Sequence, residues 1–339
     1  MPTHSRSLRP RFLGLLTATI FVAPNPVFPA PPDQDLRLQV AWQVALERIG
    51  LSPGIIDGNA GRKTELATRE FQRVHGLPVT GRLDPRTKDL LEVNPDAAVT
   101  AYALQASDLA LVGPAPQEWI AKSKLKRLAY ESLDAAIAER FHCSRALLAA
   151  LNPERKIGGL QPGEVINVPS IEEGASSRSG SLVEINLGDK TVRVLDRNHE
   201  VIGLFHCSIA KHREKRPSGS ASVVSVTENP AYTFDPKMWP EVKGVENKLL
   251  IPPGPRNPVG LCWIGLNLPG YGIHGSPAPE MIGKTGSHGC FRLTNWDALR
   301  LARMIRVGTH VRFLDETSLA AADRPSASYT LAEAAPKRR

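Results

Sequence analysis

A cysteine side chain attacks a carbonyl only as the thiolate, which a free thiol reaches with a pKa of about 8.5. A neighbouring imidazole can take the thiol proton and later return it to a leaving group. The 339-residue sequence gathers such groups near its C-terminal end, in Ile273-His274-Gly275-Ser276-Pro277 and Thr285-Gly286-Ser287-His288-Gly289-Cys290-Phe291-Arg292. Flanking glycines allow close approach of a substrate backbone and hold N–H groups in the dihedrals that an oxyanion hole needs. Arg292 adds a planar fork for a substrate carboxylate or for a structural acid. A thiol, a base and a Gly-rich bend fit acyl transfer.

These groups need a scaffold, and period-two runs begin at Leu182. Leu182 to Leu187 and Thr191 to Asp196 read as strands joined across Gly188-Asp189, a hairpin signal. Val201 to Cys207 and Ala221 to Val226 follow, separated by a charged loop. Pro252-Pro253-Gly254-Pro255 fits neither regular helix nor a central strand and reads as a fixed loop near the cleft. After the cysteine, Thr294-Asn295-Trp296-Asp297 resembles a capping start for a helix with Ala298, Leu301, Ala302 and Ile305 on one face. Gly308 stops that helix, and Val311 and Phe313 alternate as a last strand.

Ahead of this scaffold lie two smaller units. Leu38, Trp42, Ala45 and Ile49 fall at helical spacing. Thr64 opens a second helix with Ala67, Phe71 and Val74 on one face. Asp84-Pro85 opens a third in the favoured cap-then-proline order. Asp57-Gly58…Thr64 and Thr80-Gly81…Thr87 are two weakly similar turn-helix units. Residues 94–122 are rich in Ala and Pro and read as a linker with little structure of its own. Leu133, Ile137, Phe141 and then Ala146, Leu147, Leu151 read as two short helices, followed by a turn and a short strand ending at Pro169.

The first residues carry Arg6, Arg9 and Arg11 ahead of a short apolar run from Phe12 to Ala23, the pattern of an export signal over 1–30. That run is too short for a comfortable membrane span, and an uncleaved anchor is the alternative. Net charge is +8, and removing the three arginines of the signal brings it to +5. This modest basicity suits an anionic polymer. No aromatic-interleaved basic patch argues for nucleic acid. The four cysteines, Cys143, Cys207, Cys262 and Cys290, lack CxxC spacing, so a zinc site has no support. With Cys290 kept as a free thiol at most one disulfide can form, and Cys143, Cys207 and Cys262 read as buried small apolar residues.

His274 with the Ser287-His288-Gly289-Cys290-x-Arg292 run resembles the signature of the L,D-transpeptidase (YkuD) family, whose members remodel bacterial peptidoglycan. Asn229-Pro230-Ala231-Tyr232 and Pro253-Gly254-Pro255-Arg256-Asn257-Pro258-Val259-Gly260 resemble further landmarks of that family, and Arg216-Pro217-Ser218-Gly219 stands where T-P-x-G is usual. Asp57-Gly58-Asn59-x-Gly61-x-x-Thr64 with Phe71-Gln72, Gly76-Leu77, Gly81 and Thr87 resembles the PG-binding-1 peptidoglycan-binding domain. Leu160-x-Pro162-Gly163-x-x-Ile166-x-Val168-Pro169 resembles the end of a LysM glycan-binding module, although Glu131-Ser132-Leu133-Asp134 replaces its usual opening.

The resemblance implies a multidomain α+β chain. A signal (1–30) precedes a three-helix wall-binding module (36–93), a linker (94–122), a LysM-like module of βααβ type (123–171) and a second linker (172–181). A β-rich, sandwich-like catalytic domain (182–316) and a disordered tail (317–339) follow. It implies Cys290 as nucleophile and His274 as base, oriented by the Gly275 carbonyl. His288, Gly289 and Cys290 would supply oxyanion N–H groups, with Arg292 and Ser287 beside the substrate. No cofactor or metal is implied. The partner is peptidoglycan, both stem peptide and glycan, outside the cytoplasmic membrane. A stem diamino acid, a protein amine or water accepts the acyl group. A wall-binding protein without catalysis is the rival from another class.

Overall fold

The computed structural model describes residues 34–171, 178–239, 241–287 and 289–315. The expected signal, the expected tail, most of the linker at 172–181 and His288 lie outside the described residues. The chain is a mixed α+β protein, with a helical region leading into a β-rich sheet.

Helices α1 (Gln34–Arg48), α2 (Arg62–Val74) and α3 (Pro85–Leu90) form the first unit. The apolar periodicity buries Val40, Trp42, Leu46, Ala67 and Phe71 together. Val74 is half exposed, because it is the last residue of its helix and projects past the packed face. Asp84 caps α3 by accepting from the Thr87 amide, with Pro85 in the first turn. The two similar turns share a device that the sequence pattern hid. Buried Gln43 accepts from the amides of Asp57 and Gly58 and donates to Asp57. Buried Gln72 accepts from the amides of Thr80 and Gly81 and donates to Thr87. Each turn thus satisfies its backbone on the helix before it.

The segment 94–122, expected to have little structure, contains strand β1 (Val99–Ala103) and short helices α4 (Ala106–Leu109) and α5 (Trp119–Ser123). The strand β2 (Val165–Pro169) pairs antiparallel with β1, and α6 (Leu133–Arg140) and α7 (Arg145–Ala150) lie between them in sequence. Period two is present in Val99-Thr100-Ala101-Tyr102-Ala103, but its side chains are mostly small. The partner that makes it a strand lies more than sixty residues away.

The third unit contains β3 (Leu182–Asn186), β4 (Thr191–Leu195), β5 (Val201–His206), β6 (Ser220–Glu228), β7 (Tyr232–Phe234), β8 (Leu249–Ile251), β9 (Cys262–Leu266), β10 (Gly272–His274), β11 (Phe291–Arg292), α8 (Asn295–Met304) and β12 (His310–Leu314). Eight strands make one sheet in the order β11-β10-β9-β6-β12-β3-β4-β5, while β7 and β8 pair separately. A sandwich-like domain was expected, and a single sheet forms in which β6 serves both halves, pairing with β12 at its start and with β9 across a register shift between Val223 and Ser225. A bulge of this kind bends a strand and lets one sheet curl. The curl brings its ends together, because Ser208 just past β5 bridges Arg292 of β11. The core of the curl holds Val183, Val192, Phe205, Ile264, Ile273, Phe291, Leu301 and Val311.

The helical region docks on this sheet through backbone and buried charge. Residues 50–52 pair with Leu204 of β5, the Ser52 amide donating to its carbonyl at 2.9 Å and its amide donating to Gly50 at 3.1 Å. That covers a sheet edge. Buried Glu47 accepts from Arg300 of α8 at 2.9 Å and faces His142 Nδ1 at 2.9 Å. Burial opposes the Glu47 charge, but Arg300 and His142 hold it ionised. Among the described residues no helix is long and apolar enough to cross a membrane.

Candidate active site

Strand register assembles the site. In β9–β10 Trp263 lies opposite His274, and in β10–β11 Arg292 lies opposite His274. Trp263, His274 and Arg292 therefore form one row across one face of the sheet. Ile273 and Phe291 are also paired, and both point into the core. Cys290 immediately precedes β11, the strand that pairs with the His274 strand β10. The sequence pattern did not mark β10 or β11 as strands, since three and two residues are too few to show a period.

His274 is buried and its ring stacks on Trp263, with centroids 5.6 Å apart. Its Nδ1 lies 2.7 Å from the Gly275 carbonyl oxygen. A carbonyl only accepts, so Nδ1 carries the proton and Nε2 keeps its lone pair. Burial lowers the His274 pKa to about 4, with Arg292 adding to the effect and the Gly275 bond opposing it. Cys290 is half-buried, and its thiol lies 3.5 Å from the Gly270 carbonyl. Burial raises its pKa, against weaker lowering by the Gly272 backbone and by Arg292. At neutral pH Cys290 rests as the thiol and His274 as the neutral imidazole.

This state has a measurable consequence. A raised thiol pKa and a lowered imidazole pKa both disfavour a preformed thiolate–imidazolium pair near neutral pH. Alkylation of Cys290 by iodoacetamide is therefore expected to be slow at pH 7. It should rise about tenfold per pH unit until above the ordinary thiol pKa of about 8.5. A plateau already reached at pH 6 would show a preformed thiolate.

The remaining expected residues divide. The Ser287 hydroxyl donates to the Cys290 carbonyl at 2.5 Å and accepts from the Gly289 amide at 3.2 Å, closing the turn before the cysteine. The Gly289 amide is thus engaged, as is the Gly275 amide, which donates to Cys262 at 3.0 Å. Of the expected oxyanion donors this leaves the Cys290 amide, since His288 lies outside the described residues. Arg292 was expected beside a substrate carboxylate or a structural acid. Its Nη2 donates to the Thr285 carbonyl and hydroxyl at 3.3 and 3.1 Å and to the Gly286 carbonyl at 2.6 Å, tying down the loop before the motif. Its buried Nε has no partner among the described residues. Cys143, Cys207 and Cys262 are buried and unpaired, and burial lifts each thiol to about 12. Among the described residues no group of three or more His, Cys, Asp or Glu could hold a metal.

Several contributors were not legible as site residues. Asn295, buried at the start of α8, accepts from the Leu261 amide at 2.9 Å and donates to Glu139 at 2.8 Å and to the Pro255 carbonyl at 3.2 Å. Its Oδ1 also lies against Gly260 and Gly275. Glu139 belongs to α6, accepts from the Tyr130 hydroxyl at 2.7 Å, and is lifted by burial to about 7. The proline-rich loop packs on the same region, with the Leu128 amide donating to the Pro253 carbonyl at 2.8 Å. Tyr232 of β7 lies near Cys290, and burial first and that cysteine second raise its phenol pKa, against its bond from Trp239. In the sequence Asn295 looked only like a helix start, and the true cap is Thr294, which accepts from the Asp297 amide.

A histidine on β10 of a curled sheet and a cysteine just before the paired strand β11, behind a helical module that satisfies its own turns, outline a candidate active site with a docked accessory unit. Two segments of the chain match known domains. Residues 180–313 match the L,D-transpeptidase catalytic domain of the YkuD family, and residues 40–91 match a putative peptidoglycan binding domain. Residues 180–313 thus form a YkuD-type L,D-transpeptidase catalytic domain. It is 27% identical over 176 residues to the putative L,D-transpeptidase YkuD of Bacillus subtilis, covering 52% of this chain and 90% of that protein. It is 38% identical over 104 residues to the probable L,D-transpeptidase YbiS of Escherichia coli, covering 30% of this chain and 33% of that protein. An L,D-transpeptidase structure from Xylanimonas cellulosilytica is similar at 18% identity and a TM-score of 0.34, over 86% of this chain and 98% of that one.

Proposed function

We propose that this protein is a peptidoglycan L,D-transpeptidase with Cys290 as nucleophile and His274 as general base. The carrying observation is the His274 Nδ1–Gly275 bond, which leaves the Nε2 lone pair free on the strand β10 that pairs with β11, directly after Cys290. Nε2 takes the thiol proton as Sγ attacks the carbonyl of the L-centre at the third residue of a tetrapeptide stem. The Cys290 amide supports the oxyanion. As the tetrahedral intermediate collapses, the carbon–nitrogen bond breaks and terminal D-Ala leaves with the proton from His274. An amine acceptor then attacks the thioester, its proton passes through His274, and the thiol is restored.

The wall-binding module and a LysM-like middle unit, in which β1 and β2 pair and α6 and α7 lie between them in sequence, hold the chain on the wall. Its place is the periplasm or cell wall, after export by the segment 1–30. Incubation with a disaccharide-tetrapeptide and intact-mass analysis tests this. The acyl-enzyme on Cys290 with release of D-Ala is expected, followed by a 3-3 cross-linked product. No adduct on Cys290 overturns the reading. Release of free tripeptide alone would make the acceptor water and the enzyme an L,D-carboxypeptidase.

A further inference from the structure

Between the helical module and the sheet lies a cavity of about 720 Å³. That is within the range of roughly 300–1,000 Å³ seen for small-ligand sites. One wall is the turn at 57–59 with the first turn of α2, and the other is Gly188 to Lys190 with the loop at 280–284. Three lysines line it: Lys63, Lys190 and Lys284. The Lys63 stem is wedged between the two units, its Cδ 2.6 Å from where a Gly54 Cβ would be and its Cε 3.6 Å from the same point on Gly283. Lys190 donates to the Gly283 carbonyl at 3.0 Å. Arg62 is already paired with Asp189 at 2.8 Å.

Lys63 and Lys284 have no ion-pair partner among the described residues. Burial lowers the Lys63 pKa, and Lys284 lowers it further, against Asp297 and Asp57. Like charges gathered in a concave, partly dry site favour an anion there. The α2 N-terminus adds to this, since Gly61 provides no side-chain cap for its first amides. The lining also holds Asp57 and Glu280. These would repel a dianion such as phosphate, but they suit a ligand that carries an amine beside its carboxylate.

We propose that this cavity binds the zwitterionic end of a peptide that bears a diamino acid. The carboxylate would lie on Lys63 and Lys284, and the amine on Asp57 and Glu280. Identifying that peptide as a peptidoglycan stem rests on the function proposed above. The wall-binding module and the catalytic domain then grip the wall jointly. The site also shares a segment with the catalytic motif. Lys284 precedes Thr285 and Gly286, whose oxygens hold Arg292 two residues from Cys290.

Titration calorimetry on the full chain carrying Cys290→Ala tests this without turnover. The probes are a stem tripeptide with D-glutamate and a diamino acid, the same peptide with its carboxylates amidated, and inorganic phosphate. The expected result is saturable binding of the free tripeptide, weakened about tenfold or more by Lys63→Gln with Lys284→Gln, an effect of a lost charged contact. Amidation should weaken it similarly. Unchanged affinity in the double variant overturns the proposal, as does phosphate binding as tightly as the peptide. Lys284→Gln alone, on an exposed side chain, decides the matter if Lys63→Gln perturbs folding. The readout is independent of Cys290 chemistry. A catalytically inert Cys290 with this binding intact refutes only the transpeptidase reading, and an active enzyme without it refutes only the cavity.

Discussion

Cys290→Ala is expected to abolish acyl-enzyme formation, with turnover falling on the order of 10⁴-fold or more, as for removal of other covalent nucleophiles. The substitution removes only the sulfur. The turn before it is held by the Cys290 carbonyl and the Ser287 hydroxyl, which remain. The melting temperature should therefore change little. No other thiol can replace it, because Cys143, Cys207 and Cys262 are buried with pKa values of about 12. Intact-mass analysis after incubation with a carbapenem reads the outcome directly. One adduct is expected on the native chain and none on the variant. Cys290→Ser should be nearly as inactive, since a hydroxyl is a far weaker acid than a thiol and His274, with a pKa of about 4, is a weak base. An adduct on the alanine variant would remove Cys290 from the mechanism.

Gly260→Ala is expected to cost both stability and activity, though Gly260 is fourteen residues from His274. Its φ is +64°, a region that L side chains seldom adopt. A Cβ there would stand 2.0 Å from Asn295 Oδ1 and 2.5 Å from the Gly275 carbonyl carbon. Neither neighbour can yield cheaply. Asn295 is buried and bonded to Leu261, Pro255 and Glu139, and Gly275 is the residue that orients His274. The left-handed conformation and the overpacking together cost roughly 2–5 kcal/mol. A displacement of about 1 Å at a catalytic group can cost about 10²-fold in rate. Gly308→Ala is the control, because its φ is +88° but nothing lies within 4 Å of its Cβ position. It should lose only the conformational share, about 1–2 kcal/mol, with turnover intact. Denaturant melts with turnover measured on both variants separate the two effects. Equal losses of activity would show that the Gly260–Asn295–Gly275 contact does not position His274.

Much of this molecule was legible before any coordinates. The helices of the wall-binding module declared themselves by apolar spacing and by the Asp84-Pro85 start. The hairpin at Gly188-Asp189 and the last helix, with its Thr294 cap, did so by turn and cap chemistry. These signals are local, and each is carried by residues within one or two turns of one another. The strand at Val99–Ala103 escaped because small side chains give little amphipathic contrast and its partner is distant. The two strands that align the site escaped because they are two and three residues long.

Residue type and order alone determined the chemistry on offer: a thiol, an imidazole and a Gly-rich turn. Reactivity of that kind belongs to the side chains themselves. Only the tertiary structure decided which of them meet. Strand register put His274 between Trp263 and Arg292. The bonds of Arg292 made it a clamp on the loop before the motif. Packing across 156 positions of chain joined Glu139 to Asn295 and so tied the middle unit to the wall of the site. Contacts of that range depend on how whole surfaces fit, which no short stretch of sequence encodes.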